Sequence, residues 1–213
     1  MNRFSADELS SRLQQGLDSL KITATAEQQK QLLLLLDQLV KWNKTYNLTA
    51  IDDPMDGLTL HLLDSLAVAP FINQSTLLDV GTGAGFPGLP LAILLPNVQF
   101  TLLDSNSKKI RFILQQIHLL NLANVTAIHS RVESAQHDRF DAIISRAFAS
   151  IQDMVHTTKH LLSEDGRWLA MKGQYSKQEV ESVVPAVKEL ACHMLTVPGL
   201  TAERCLIELV KAE

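Results

Sequence analysis

Leu77-Leu-Asp79-Val-Gly81-Thr-Gly83-Ala-Gly85-Phe86-Pro-Gly88 is the stretch that decides the fold of this 213-residue chain. The apolar run Thr76–Val80 predicts a short buried strand, and the glycines after it predict a sharp turn that lets a ligand approach the backbone. The next apolar run, 89–95, predicts a helix whose N-terminal amides face that ligand. A strand, a glycine loop and a helix in this order predict a ligand-binding α/β domain.

Strands and helices alternate downstream of this loop. Apolar runs predict strands at 98–103, 125–129, 140–145 and 166–172, and helices at 108–121 and 150–162. This alternation indicates a parallel sheet with helices on both faces. After a predicted helix near 176–190, runs at 193–197 and 204–210 are separated only by a loop with Pro198-Gly199, which predicts a hairpin. The predicted fold is therefore α/β, with a mostly parallel seven-stranded sheet and one antiparallel edge strand.

The residues before the first strand are predicted to be helical. Thr25 and Gln28 have the spacing of a capping box, and the leucines after them recur at helical intervals. Asp53-Pro54 predicts a further helix start, with the acid at the N-cap and proline in the first turn. We therefore expect a helical N-terminal extension over residues 1–72, packed on a ligand-binding domain over residues 73–213.

Composition narrows the classes of protein that this chain can be. A net charge of −4 argues against binding nucleic acid by bulk electrostatics. The two cysteines, Cys192 and Cys205, provide neither a disulfide framework nor a metal site, so we expect no metal and a reducing, cytoplasmic setting. We expect both to be buried in the closing hairpin. No apolar run is long enough to span a bilayer, so no membrane contact is expected. We separately expect a monomer.

The glycine loop by itself leaves two ligands open. Gly83-Ala-Gly85-Phe86-Pro-Gly88 also matches the G-x-G-x-x-G pattern of dinucleotide sites. Asp79 discriminates between the two ligands, because a carboxylate directly before the loop would repel a pyrophosphate but attract the sulfonium and ammonium of S-adenosylmethionine. The predicted cofactor is therefore S-adenosylmethionine, and a nicotinamide oxidoreductase is the alternative.

Residues after the second and third strands are predicted to hold the rest of this cofactor. Asp104 can accept hydrogen bonds from the ribose hydroxyls. Alternatively it caps the next helix, although Ser105 or Ser107 also suits that role. Val132-Glu133 lies where an adenine would pack between apolar side chains, and its alternative is a short helix start on a solvated loop.

Motifs along the chain resemble those of the RsmG family, also called GidB, which methylates N7 of one guanine in bacterial small-subunit (16S) ribosomal RNA. They are Trp42-Asn-Lys-Thr-Tyr-Asn-Leu-Thr49, His61-Leu-Leu-Asp64-Ser65, Asp79-Val-Gly-Thr-Gly-Ala-Gly-Phe-Pro-Gly88, Leu103-Asp-Ser105, Ser145-Arg-Ala-Phe-Ala-Ser150 and Lys172-Gly173. The resemblance runs from about residue 25 to the end of the chain and implies a class I methyltransferase with a Rossmann-like fold. One departure is Leu60, because some relatives have an arginine before the equivalent of His61, which would provide a phosphate contact.

The resemblance also implies a cofactor site and a partner. Gly81, Phe86, Val132, Glu133 and Arg146 would contact S-adenosylmethionine. The partner would be 16S ribosomal RNA, within the small ribosomal subunit or one of its assembly intermediates.

The chemistry of guanine N7 agrees with the residue types that are present. N7 carries a free lone pair and attacks the methyl group directly, so no general base is required and positioning is the main demand. Arg146, at the end of the fourth strand, is the candidate positioning residue. It would fix the carboxylate of the donor or donate to guanine O6, and its alternative is a surface ion pair, for instance with Asp153.

Two further functions stay open. Lys172 ends the fifth strand, as a lysine does in ribose 2′-O-methyltransferases, but Ser145-Arg146 stands where such enzymes have an aspartate. The chain is otherwise consistent with a ribosome assembly factor that binds S-adenosylmethionine without turnover.

Other polar and aromatic residues have weaker assignments. Trp42 and Tyr46 share a helical face on which a base can stack, although core packing is favoured for Trp42. His61 is expected to form a buried hydrogen bond from its helix to a loop rather than to belong to a hydrolase triad with Asp64 and Ser65. The residues predicted to form an RNA-phosphate rim are Lys108, Lys109, Arg111, Arg131 and Lys172.

Overall fold

A seven-stranded sheet forms the centre of the computed structural model, in which residues 5–146, 148–184 and 186–212 are described. Its strands are β1 (Thr76–Val80), β2 (Gln99–Asp104), β3 (Val125–His129), β4 (Phe140–Ser145), β5 (Leu162–Lys172), β6 (Val187–Leu195) and β7 (Arg204–Lys211). Their order is β3-β2-β1-β4-β5-β7-β6, with β7 antiparallel to both of its neighbours. The chain moves outward from β1 to β3 and then returns to β4. The carboxyl ends of β1 and β4 therefore border the crevice in which open α/β sheets bind ligands.

The predicted α/β fold is confirmed, and β1, β3 and β4 have the predicted bounds. The antiparallel strand β7 lies one place in from the edge, between β5 and β6. Ala147, in the motif after β4, lies outside the described residues.

The segment before β7 differs most from its prediction. The helix predicted near 176–190 is only α8 (Lys177–Glu181), and β6 begins at Val187 rather than at His193. Lys188, Glu189 and Leu190 are good helix formers, but pairing with β7 overrides that local preference. A register shift between Glu189 and Ala191 also interrupts the alternation that would reveal a strand.

Helices cover both faces of the sheet and precede it along the chain. They are α1 (Ala6–Ser19), α2 (Ala26–Tyr46), α3 (Pro54–Gly57), a π-helical segment (Leu58–Leu63), α4 (Asp64–Leu66), α5 (Gly88–Leu94), α6 (Ser107–Leu119) and α7 (Ile151–Thr158). The predicted capping box is confirmed, since Gln28 donates its backbone N–H to Thr25 Oγ1 and its side chain accepts from Thr25 N. The predicted helix start at Asp53 is confirmed as well. None of the helices in the described ranges combines the length and the apolar character needed to cross a membrane.

The core has one layer on each face of the sheet. Buried leucines of α1 and α2, such as Leu17 and Leu35, belong to the same cluster as Leu77 of β1 and Phe112 of α6. The other layer is built around Trp168 of β5. Because the N-terminal helices share the first layer, they fix the π-helical segment against the sheet, next to the crevice.

Candidate functional site

The glycine loop after β1 has a backbone that other residues rarely adopt. Gly81, Gly83 and Gly85 have φ angles of +66°, +65° and +89°. A Cβ atom on Gly85 would lie 2.4 Å from Cδ1 of Leu89. The loop therefore requires glycine both for its conformation and for its close approach to α5.

Asp79 lies beneath this loop and holds it. Its Oδ2 accepts hydrogen bonds from the Thr82 hydroxyl at 2.6 Å and from the Gly88 amide at 2.9 Å. Oδ1 is buried and has no hydrogen-bond partner among the described residues. Burial raises the pKa of this carboxyl from its ordinary 3.8 to about 6, although the hydrogen bonds and the charge of Arg146 oppose the shift. Asp79 thus acts on the loop from below, and its predicted effect on the cofactor stays a prediction.

A cleft of about 240 Å³ opens at the carboxyl ends of β1, β2 and β3, and we call it the first cleft. It is lined by Val80, Gly81, Leu103, Asp104, Ser105, Ser130, Arg131, Val132, Glu133 and Phe148. Four of the predicted cofactor contacts are brought together here, namely Gly81, Asp104, Val132 and Glu133. Arg131, which is predicted to contact RNA phosphate, also lines this cleft.

Asp104 connects the glycine loop to the start of α6. Its Oδ2 accepts from the Gly83 amide at 2.9 Å, and its Oδ1 accepts from the Asn106 amide at 2.8 Å. The helix cap itself is Asn106, which accepts from Lys108 N at 3.0 Å, so the alternative that Asp104, Ser105 or Ser107 caps this helix was wrong. Each carboxylate oxygen of Asp104 keeps a further lone pair for a ligand hydroxyl.

A larger cavity, of about 440 Å³, lies beside the carboxyl ends of β4 and β5, and we call it the second cavity. It is lined by Ile51, Leu60, His61, Asp64, Arg146, Met171, Lys172, Gly173, Leu195, Arg204 and Cys205. The π-helical segment and the hairpin strands therefore complete a wall that the parallel strands begin. Arg146 and Lys172 are the two predicted site residues found here.

Arg146 is held by groups from the N-terminal helices. Its Nη1 donates to the Leu60 carbonyl at 2.9 Å and to Oδ2 of Asp64 at 3.0 Å. The predicted alternative partner, Asp153, instead accepts a hydrogen bond from Ser150. Arg146 therefore belongs to the wall of the second cavity rather than to a surface ion pair with Asp153.

Lys172 is also paired. Its Nζ lies 2.6 Å from Oε1 of Glu179 and donates to the Ala149 carbonyl at 3.0 Å. These contacts tie the end of β5 to α8 and to the segment after β4.

His61 and Phe86 join the second cavity to the glycine loop. Their rings stack with centroids 4.9 Å apart, and only 6% of His61 and 4% of Phe86 is exposed. His61 Nε2 lies 3.1 Å from Thr49 Oγ1, which confirms the predicted helix-to-loop hydrogen bond. Burial, reinforced by the charge of Arg146, lowers the pKa of His61 to about 4, so the ring is neutral near pH 7.

The remaining candidates lie around the two cavities. Lys108 and Arg111 are exposed on α6, and Lys109 Nζ lies 3.9 Å from Asp104. Trp42 packs on the core against Phe112, with ring centroids 5.6 Å apart, as predicted.

The cysteines of the hairpin differ in burial. Cys205 is buried as predicted, but Cys192 is only half-buried, so that part of the prediction was wrong. Burial raises the pKa of the Cys205 thiol to about 11. In the described part of the chain no three His, Cys, Asp or Glu side chains are grouped to hold a metal ion.

Several residues of both cavities are not predicted from the sequence. Ser105 and Ser130 follow β2 and β3 directly, so their position at strand ends was a usable signal for the first cleft. The sequence suggests a triad as the only role for Asp64 and suggests no role for Arg204. These two meet across 140 positions of sequence, and no local pattern reports such a contact.

Comparisons with known proteins agree with this geometry. Residues 28–207 match the family model GidB, described as rRNA small subunit methyltransferase G. A ribosomal RNA small subunit methyltransferase G from Alteromonas mediterranea is 45% identical over 96% of this chain and 97% of its own length. The protein of the same name from Aeromonas salmonicida is 51% identical over 88% of this chain and 90% of its own length.

Solved structures that are distant in sequence show the same fold. The YcgJ protein from Bacillus subtilis has a TM-score of 0.57 at 15% identity, covering 72% of this chain and 100% of its own. The N-methyltransferase NodS from Bradyrhizobium japonicum has a TM-score of 0.56 at 14% identity, covering 76% of this chain and 100% of its own.

Proposed function

Since the chain belongs to the GidB family of ribosomal RNA small subunit methyltransferases G, we propose that it transfers a methyl group from S-adenosylmethionine to N7 of one guanine in 16S ribosomal RNA. The observation that carries the proposal is the placement of two cavities at one edge of the sheet. The first cleft includes Phe148 and the second includes Arg146, so the short segment after β4 borders both. A donor in one and a base in the other would meet at this segment.

The first cleft has hydrogen-bond acceptors and an apolar surface that suit S-adenosylmethionine. Asp104 offers carboxylate oxygens for ribose hydroxyls, while Val132 and Glu133 offer an apolar surface and a polar edge for adenine. Gly81 lets the cofactor approach the main chain. Bound S-adenosylmethionine would supply a methyl group on a sulfonium, which a lone pair can take directly while a thioether leaves.

The second cavity agrees with a reaction that needs no general base. Asp64 is bound by two arginines, Lys172 is paired with Glu179, and His61 Nε2 is engaged by Thr49. Guanine N7 has no proton to lose, so forming its bond to carbon requires only that the base be held in line with the donor. We propose that Arg146 provides this positioning by donating to guanine O6 from its remaining N–H groups.

We propose that the substrate is RNA already structured in the small subunit or an assembly intermediate. We also propose that the enzyme is cytoplasmic and monomeric. The net charge of −4 disfavours gathering naked RNA by bulk electrostatics, and two cations of the predicted rim, Lys109 and Lys172, each lie close to a carboxylate. Lys108, Arg111 and Arg131 would provide the phosphate contacts beside the first cleft.

The proposal is tested by incubating the protein with tritiated S-adenosylmethionine and small subunits that lack native methylation, followed by nucleoside analysis. Label in 7-methylguanosine is expected. Label in a 2′-O-methyl nucleoside would instead assign ribose chemistry to Lys172. Donor binding without label in any RNA would support a non-catalytic assembly role.

A matched pair of variants tests the role of Arg146. Arg146→Ala is expected to lower the rate on small subunits or the affinity for the donor. Arg139→Ala removes an exposed arginine that pairs loosely with Glu164 at 3.8 Å, and it should change neither. Equal activity of the two variants would refute the positioning role.

A further inference from the structure

Two arginines converge on one buried carboxylate in the second cavity. Asp64 is 2% exposed, and its Oδ2 lies 3.0 Å from Arg146 Nη1 while its Oδ1 lies 3.0 Å from Arg204 Nε. The three residues come from α4, the end of β4 and the start of β7. One carboxylate therefore fixes two guanidinium groups that belong to different parts of the fold.

Both guanidinium groups retain donors that Asp64 does not use. Among the described residues, Arg146 makes two hydrogen bonds, both through Nη1, and Arg204 uses Nε and Nη1, the latter toward the Glu203 carbonyl at 2.8 Å. Their side chains are 29% and 26% exposed, and both line the second cavity. A guanidinium has five N–H donors, so each arginine can bind a ligand while Asp64 holds it in place.

The charge of the cavity selects the ligand. Arg146, Lys172 and Arg204 are opposed by Asp64 and Glu179, and His61 is neutral near pH 7, so one positive charge is left over. Guanidinium groups bind phosphate oxygens strongly, whereas a neutral base does not require a net charge. If Arg146 faces the base, the excess charge is free for the phosphate of the same nucleotide.

We propose that Arg204 binds the phosphate of the target nucleotide and that Asp64 is a positioning residue that holds Arg204 and Arg146 in register. This inference rests on the proposed function, because it assigns the second cavity to the RNA. Arg204→Gln then removes a substrate contact. Asp64→Asn instead keeps both cations but releases their orientation, since a neutral amide presents donors to at least one arginine.

The chain contains a matched control for both variants. Arg167 Nη1 lies 3.1 Å from Oε2 of Glu208, which is 8% exposed, and the two residues lie on β5 and β7. Neither lines the first cleft or the second cavity. Arg167→Gln and Glu208→Gln therefore break a comparable ion pair away from the RNA.

The experiment measures KM and kcat on unmethylated small subunits, and the salt dependence of binding to them. Rates are counted per S-adenosylmethionine-binding protein, so misfolded material does not contribute. Arg204→Gln is expected to raise KM about tenfold or more and to reduce the slope of log K against log salt by about 1. Asp64→Asn is expected to lower kcat between about tenfold and about a hundredfold, with a smaller rise in KM than Arg204→Gln because both cations remain.

Three results would separate the inference from the proposed function. If wild type leaves no label in RNA, the proposed function fails before any variant is compared. If wild type is active but Arg204→Gln has the salt slope of Arg167→Gln, the phosphate contact is refuted. If Asp64→Asn matches Glu208→Gln in kcat, Asp64 has only a structural role.

Discussion

Asp79→Asn would reveal how ionisation of the buried carboxylate beneath the glycine loop changes the free energy of unfolding. Burial raises the pKa of Asp79 from 3.8 to about 6, so between these pH values the folded chain holds a proton that the unfolded chain has released. The stability that this group contributes is therefore complete below about pH 4 and is lost as the pH rises through about 6. A pKa difference of about two units corresponds to about 3 kcal/mol.

An asparagine at this position carries no charge at any pH. Its oxygen can accept the bonds from Thr82 and Gly88, but its NH₂ group takes the place of Oδ1, which has no partner among the described residues. An unsatisfied buried donor costs about 1 to 3 kcal/mol. At about pH 4 the folded wild type is protonated too, and because Oδ2 accepts both hydrogen bonds its proton lies on Oδ1. Each protein then buries an unsatisfied donor, so their stabilities should differ by less than that amount.

The difference between variant and wild type should then change with pH. Urea denaturation followed by tryptophan fluorescence gives the free energy of unfolding of both proteins at intervals from about pH 4 to about pH 7.5. The variant is expected to gain about 3 kcal/mol on wild type over this range, while carboxyls common to both proteins cancel. A difference that stays constant with pH would refute the reasoning, since Asp79 would then titrate alike in the folded and unfolded chains.

Three further substitutions test other contacts. Gly88→Ala places a Cβ atom 2.1 Å from Leu102 Cδ2 and 2.8 Å from Asp79 Oδ2, so a loss of about 1 to 3 kcal/mol in urea denaturation is expected, and wild-type stability would contradict it. Trp168→Phe removes the hydrogen bond from the indole to Thr158 Oγ1 at 2.8 Å and should lower the free energy of unfolding by about 1 kcal/mol or more, whereas no loss would mean that this buried bond is dispensable. Asp104→Ala removes acceptors for Gly83, Asn106 and the ribose, so calorimetry should show the Kd for S-adenosylmethionine rising at least about tenfold, and an unchanged Kd would exclude the ribose contact.

The parts of the fold that were predictable have local causes. Thr76–Val80 and Phe140–Ser145 are apolar runs bounded by turn residues or glycine, and such runs become buried strands wherever helices cover both faces. The edge strand β6 has no such signature, because Lys188, Glu189 and Leu190 favour a helix and only β7 makes them a strand. The predicted start of β6, at His193, is therefore six residues later than its observed start at Val187.

The residues of the site likewise divide into those with a local sequence signal and those without one. Gly81, Asp104 and Val132 could be named in advance because each lies at or just after the end of a parallel strand, and the carboxyl ends of parallel strands meet at one edge. The second cavity instead depends on Asp64 meeting Arg204 across 140 positions. Side chains that meet only after the whole chain has folded leave no periodic signal, so the sequence predicts the strand end at which Arg146 lies but not its partner Asp64.

The antiparallel direction of β7 has a consequence for how such an enzyme could change its specificity. Because β6 and β7 run in opposite directions, the connection 196–203 returns to the same edge as the ends of β4 and β5, and its neighbours Leu195 and Arg204 line the second cavity. The first cleft is built from β1, β2 and β3 and shares none of these residues. On the proposed assignment of the two cavities, a new connection between β6 and β7 would recognise a different nucleotide while leaving donor binding in place, provided that Gly199, whose φ angle is +85°, is kept.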